Sequence, residues 1–179
     1  LYKENEEKAG FRVVLTDMHV DSSGLRLNQT FDDPKWQEVV RDIRFRQAVS
    51  MAINRQELID TIYYTYASLP LMTMGEKNST YDVDAANALL DEMGLTNKDA
   101  DGYRTYKDGS PFEILLEHAA HAPDLAPVAD LTAQYLKDIG IKVTVKQIDT
   151  SLFDQRWLAN EIQASVHWSH DVGWGNDLT

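Results

Sequence analysis

Trp168, His170, Asp171 and Trp174 crowd into one short stretch near the end of the chain. Indole rings make flat apolar walls, and a carboxylate can fix a cation or a hydroxyl, so this group has the chemistry of a small-molecule binding site. A competing reading places Trp168 in the core, because it shares a strand face with Ala164 and Val166. Asp171 and Trp174 fall beyond that strand and favour binding.

Five histidines offer a second chemistry. His118 and His121 are three apart, and His167, His170 and Asp171 gather at a strand end, a donor set that suits zinc or nickel and would serve a metal-dependent enzyme. The His118 to His121 spacing spans a strand end and a loop and fixes no geometry, so no metal ligands are assigned. Asn97, Asp99, Asp101, Gly102 and Asp108 follow part of a calcium-loop template. The last position is a short Asp and a strand follows it, so an Asp/Gly-rich turn accounts for them more simply. There is no G-x-S-x-G elbow and no glycine-rich phosphate loop. Paired carboxylates such as Glu6 with Glu7, or Asp32 with Asp33, lie in polar runs and read as solvated surface. Neither catalytic residues nor a cofactor are expected.

The elements that must position the Trp168 group run from Phe112 to Trp168. Phe112, Ile114, Leu116 and His118 alternate with Glu113, Leu115 and Glu117, the period of a strand. Val128, Leu131, Thr132, Tyr135, Leu136 and Ile139 recur at helical spacing, and Gly140 can close that helix in the left-handed conformation. Ile141, Val143 and Val145 mark a second strand, and Ile162, Ala164, Val166 and Trp168 a third, with a short helix between them. Ser151 with Asp154 resembles a capping box for that helix. Two serial βαβ crossovers predict three parallel strands in one sheet with flanking helices. Ligands of such sheets sit beyond the carboxyl ends of the strands, which points to His118 to Pro123 and to Trp168 to Trp174.

Upstream, Lys3 to Lys8 reads as the end of a helix that Gly10 stops, Phe11 to Leu15 as a strand, and Leu25 to Gln29 as another. Asp33-Pro34 reads as a turn, because a residue before proline is pushed out of the helical region. Phe45 to Ile53 is helical, Asn54 caps a second helix through Tyr66, and Asp82 caps a third that Gly94 ends. Ser68 to Ser79 has no period and reads as a loop. Lys107-Asp108-Gly109-Ser110 has hairpin chemistry and predicts an antiparallel strand beside Phe112 to Leu116. Pro123 or Pro127 is expected to start the long helix.

A chain of 179 residues, 43% apolar and 26% charged, can bury a full core. With 29 acidic against 17 basic side chains the formal charge is -12, which repels phosphate backbones and argues against nucleic acid as a partner. The absence of cysteine removes disulfides and thiolate chemistry together. The chain begins at Leu1 with no signal-peptide pattern and is read as a piece of a longer protein.

Four stretches carry a resemblance. Asp42-Ile-Arg-Phe-Arg-Gln-Ala-Val-Ser-Met-Ala-Ile-Asn-Arg55, Tyr81 to Gly94, Asp101-Gly-Tyr-Arg104 and Leu136 to Val143 occur in the order seen in the extracellular solute-binding proteins of ABC transporters, family 5. The resemblance implies one lobe of a periplasmic-binding-protein type II fold: an α/β lobe with a mixed sheet, βαβ crossovers and flanking helices. It implies a hinge-proximal segment at residues 1–30 and a C-terminal lobe at 31–179, with the N-terminal lobe missing. It also implies a receptor that captures a peptide between two lobes, outside the cytoplasm, and hands it to a membrane permease, with anchoring through the missing N-terminus left open. Trp168-Ser-His-Asp171 is similar to the W-x-x-D motif of peptide binders, in which the aspartate holds the ligand's α-amino group and the tryptophan lines the pocket. Val172 to Asn176 departs from the Gly/Asp/Pro pattern that follows in those proteins, which leaves an oligosaccharide stacked on Trp168 and Trp174 as the alternative ligand.

Overall fold

The computed structural model describes residues 2–14, 23–64, 66, 67, 69 and 80–168, which fall into two compact units, 2–14 and 23–168. In the smaller unit a 3-10 turn (Lys3–Asn5) runs into helix α1 (Glu6–Ala9). Gly10 ends it with φ 69°, in the left-handed region expected of it. Phe11 to Val14 form no strand, because the Val13 N–H is taken by the Glu6 carboxylate instead of a ladder partner. Leu15, the end of the expected strand, lies outside the described residues.

The larger unit is built on four strands, β1 (Ser23–Leu27), β2 (Glu113–Ala119), β3 (Lys142–Ile148) and β4 (Ala164–Trp168), in the order β1-β4-β2-β3. β2 pairs in parallel with both β3 and β4, as the crossovers require. β1 closes the other edge antiparallel to β4, with Ser23 opposite Trp168 and Leu27 opposite Ala164.

The antiparallel strand expected between Tyr103 and Phe112 is absent from the sheet. The Lys107 to Ser110 turn does form, with Gly109 at φ 82° and the Tyr106 N–H donating to the Ser110 carbonyl at 2.9 Å. Beyond it only isolated bridges remain, Lys98 with Arg104 and Thr105 with Pro111. Pro111 has no N–H to extend a ladder, so the hairpin stops where it starts.

Helix α2 (Pro34–Arg41) replaces the turn expected at Asp33-Pro34. Asp33 accepts hydrogen bonds from the backbone N–H groups of Lys35 and Trp36, and Pro34 occupies the first helical position, where its missing N–H costs nothing. Helices α3 (Ile43–Ala52), α4 (Arg55–Ile62) and α5 (Val83–Glu92) follow, with Asn54 capping α4 and Asp82 capping α5 as read from sequence. The long helix α6 (Leu125–Asp138) places Pro127 inside its first turn, and neither proline at its first position. Helix α7 (Thr150–Leu158) is capped by Asp149, whose carboxylate accepts from the Ser151 and Leu152 N–H groups at 2.9 and 3.3 Å. That corrects the capping box expected at Ser151.

Strand alternation divides the packing into two layers. Ile114, Leu116, Val166 and Ala164 face the main core with Trp36, Phe45, Leu90 and Leu136. Phe112 is its centre, with the rings of Tyr106, Phe45 and Trp36 at 5.1, 5.8 and 6.2 Å. The opposite face carries a smaller cluster of Ala119, Ile148, Phe153 and Ile162 beneath α7.

Candidate functional site

The carboxyl ends of β2 and β4 lie on neighbouring parallel strands, so the end of β4 comes beside the loop after β2. Trp168 is the last residue of β4 and remains 38% exposed, which removes it from the core and corrects the reading that buried it with Val166. From the loop after β2, the His121 ring meets the Trp168 ring edge to face at 4.9 Å and 86°. His167, on the other face of β4, lies 5.8 Å from His121 and stacks on Phe153 at 5.5 Å and 16°. Trp157 continues the stack from Phe153 at 5.8 Å. A run of five rings thus passes from α7 across the end of β4 to the β2–α6 loop.

Arg26 ties this run to the edge strand. Its guanidinium lies 5.4 Å from the Trp157 ring centroid and donates to the Trp168 carbonyl. On the α7 face, Glu117 and Ser165 are register partners on β2 and β4. Glu117 is wholly buried and accepts a hydrogen bond from Arg156 through one oxygen. Its other oxygen and the Ser165 hydroxyl have no partner among the described residues.

A second polar group stands at the start of β1. Asp124 Oδ2 accepts from the Ser23 hydroxyl at 2.6 Å and from the Tyr63 hydroxyl at 3.0 Å. Burial pushes the Tyr63 phenol above its ordinary value, so at neutral pH it keeps the proton it donates.

Of the zinc or nickel donors weighed from sequence, only His118, His121 and His167 are among the described residues. His118 is buried at 3% exposure with its Nδ1 3.3 Å from the Ala119 carbonyl oxygen, while His121 turns to Trp168. Among the described residues no group of three or more side chains is placed to hold a metal ion. In the Asp/Gly loop, Asp99 Oδ1 accepts from the backbone N–H groups of Asp101 and Tyr103 at 3.0 and 2.8 Å, and Asp108 pairs with Lys35 at 2.6 Å. Those carboxylates shape a turn. His170, Asp171 and Trp174, expected beside Trp168, lie outside the described residues.

Arg26, Tyr63 and Asp124 were missed from sequence. Glu117 had a partial signal, a carboxylate just after the apolar run Ile114 to Leu116 in a strand flanked by parallel neighbours, where a charge needs a partner.

Residues 2–179 match the family described as "Bacterial extracellular solute-binding proteins, family 5 Middle". A periplasmic alpha-galactoside-binding protein of Rhizobium meliloti is 25% identical over 175 residues, covering 88% of this chain and 25% of that protein. The structure of an oligopeptide-binding protein, OppA, superposes with TM-score 0.74 at 30% identity, over 92% of this chain and 28% of that one. The oligopeptide-binding protein AppA from Bacillus subtilis, in complex with a nonapeptide, superposes with TM-score 0.76 at 22% identity over 94% of this chain and 35% of that one, a likeness of fold. The chain therefore spans 25 to 35% of the length of these relatives.

Proposed function

Because the chain belongs to the family 5 bacterial extracellular solute-binding proteins, we propose that it is part of the substrate-binding component of an ABC importer. The whole protein captures an extracytoplasmic oligopeptide between two lobes and delivers it to the permease. It works in the periplasm or at the cell exterior, and as a binding protein it performs no reaction. Residues 31–179 belong to the C-terminal lobe, and 1–30 form the segment beside the hinge. The observation that carries this reading is the exposed Trp168 at the carboxyl end of β4, with the His121 ring set perpendicular to it. Trp168 walls the ligand, Asp171 holds its ammonium group, and His170 and Trp174 complete the lining.

An oligosaccharide is the second reading. It is favoured by the exposed indole of Trp168 at the end of a run of rings, because a sugar lays its apolar face on such a plane, and by the alpha-galactoside-binding relative.

Calorimetry on the full-length protein, with a tripeptide and with a neutral trisaccharide as probes, separates the two. Removing one partner of an enclosed charge pair typically costs about 2 to 5 kcal/mol, whereas a neutral hydrogen bond contributes about 0.5 to 1.5. Asp171→Asn should therefore weaken the tripeptide by orders of magnitude and the sugar only slightly, while Trp168→Ala weakens whichever probe binds. Parent-like affinity in both variants would place the site elsewhere.

A further inference from the structure

Asp124 stands immediately before α6, where an acidic side chain would ordinarily cap the helix, yet it makes no hydrogen bond to the helix backbone. Its Oδ2 instead collects two hydroxyl donors from far along the chain, Ser23 at 2.6 Å and Tyr63 at 3.0 Å. The Ser23 N–H also points to the Tyr63 oxygen, at 3.4 Å. One carboxylate thus joins the first residue of β1, the end of α4 and the start of α6. Hydrogen bonds from hydroxyls to a carboxylate are of the short, strong kind, and each of these groups is partly sheltered from water.

Two paths lead from this knot to Trp168. Ser23 is the register partner of Trp168, so the backbone of the tryptophan is set by the residue Asp124 grips. The loop that ends at Asp124 carries His121, whose ring packs perpendicular to the indole at 4.9 Å. Backbone and ring are therefore both referred to the same carboxylate. We propose that Asp124 is a positioning residue for Trp168, holding the indole at the angle the binding site requires through Ser23 on one side and His121 on the other. Its bearing on affinity rests on the reading of Trp168 as a ligand wall; the geometry does not.

The test is fluorine NMR on the full-length protein labelled with 5-fluorotryptophan, with the Trp168 line assigned by Trp168→Phe. Ser23→Ala and Asp124→Asn should each shift or broaden the Trp168 line and leave that of the deeply buried Trp36 in place. Ser23→Thr, which keeps the hydroxyl, should restore it. A Trp168 line that stays put in both Ser23→Ala and Asp124→Asn, even with a lowered melting temperature, reduces Asp124 to a brace and overturns the proposal. Ser23→Ala removes a single oxygen from a surface strand end, so it keeps the test open if Asp124→Asn does not fold. The measurement needs no ligand, so its outcome is independent of whether Trp168→Ala changes affinity.

Discussion

Arg104 and Glu117 are both charged and both buried, at 2% and 0% exposure, yet they are served differently by their surroundings. Arg104 lies where β3 begins. Its guanidinium donates to Asp91 at 2.5 Å, to Asn87 at 2.8 Å, to the Ile139 carbonyl at 2.9 Å and to the Leu95 carbonyl, while its backbone N–H donates to the Gly140 carbonyl at 2.7 Å. Among the described residues Glu117, beneath α7, has one partner, Arg156, and an oxygen left over, and the hydroxyl of its register partner Ser165 is likewise unpartnered. Around Arg104 the polar valence is used up in pinning the end of α5, the hairpin and the end of α6 together. Around Glu117 the contact is a single tether between a helix and the sheet. A saturated hub fixes the fold, whereas a single tether leaves its surroundings open to change.

The largest effect expected from this contrast is at the hub. Arg104→Met withdraws the donor from two carbonyls in the packed interior, and each buried group left unpaired costs about 1 to 3 kcal/mol, so unfolding in urea should come earlier by about 3 kcal/mol or more. A loss below about 1 kcal/mol would mean that the hub is decorative.

The tether should respond asymmetrically. Arg156→Gln strands a wholly buried carboxylate and should cost about 2 to 3 kcal/mol, less than a fully buried pair because Arg156 itself is 23% exposed. Glu117→Gln leaves a partly exposed guanidinium that still donates to the Glu161 carbonyl at 2.9 Å and can turn to water, and should cost less than about 1 kcal/mol. Equal losses in the two variants would show that the pair acts as a closed unit like the Arg104 hub.

The smallest effect is at the surface. Lys35, with Ser110, holds the Asp108 carboxyl well below the usual range, and Arg44 does the same for Asp42. A depressed folded value gives stability that is present above the unfolded value, about 3.9, and is lost as pH falls through the folded one. The parent should therefore exceed Asp108→Asn in melting temperature at pH 7 by a small margin that closes on acidification. A margin unchanged down to about pH 2 would dissociate the pair from stability.

What could be read from the sequence was what repeats locally. The three parallel strands and helices α3 to α6 appear because burial imposes a period of two or of about 3.6 on neighbouring residues. Asp33-Pro34 shows the limit: the dipeptide fits a turn or a capped helix start, and only the Trp36, Val39 and Val40 stripe decides. The pairing of β1 with β4 was invisible, since no local pattern says which distant strand a short apolar run will join. Trp168 was legible as part of a motif, but the Ser23, Tyr63 and Asp124 knot joins residues with nothing in common along the chain.

The edge position of β1 also sets an order of events in time. Among the described residues its ladder partner is β4, so the pair cannot form until nearly the whole of the larger unit has been made. Of the four strands, β1 emerges first from the ribosome and waits longest, with its backbone donors and acceptors open to other chains. Closing that pair joins the two ends of the larger unit, the kind of non-local contact that slows folding. Of the four strands, the one made first is thus the last to be secured, and the interval between is when a holding chaperone would matter most.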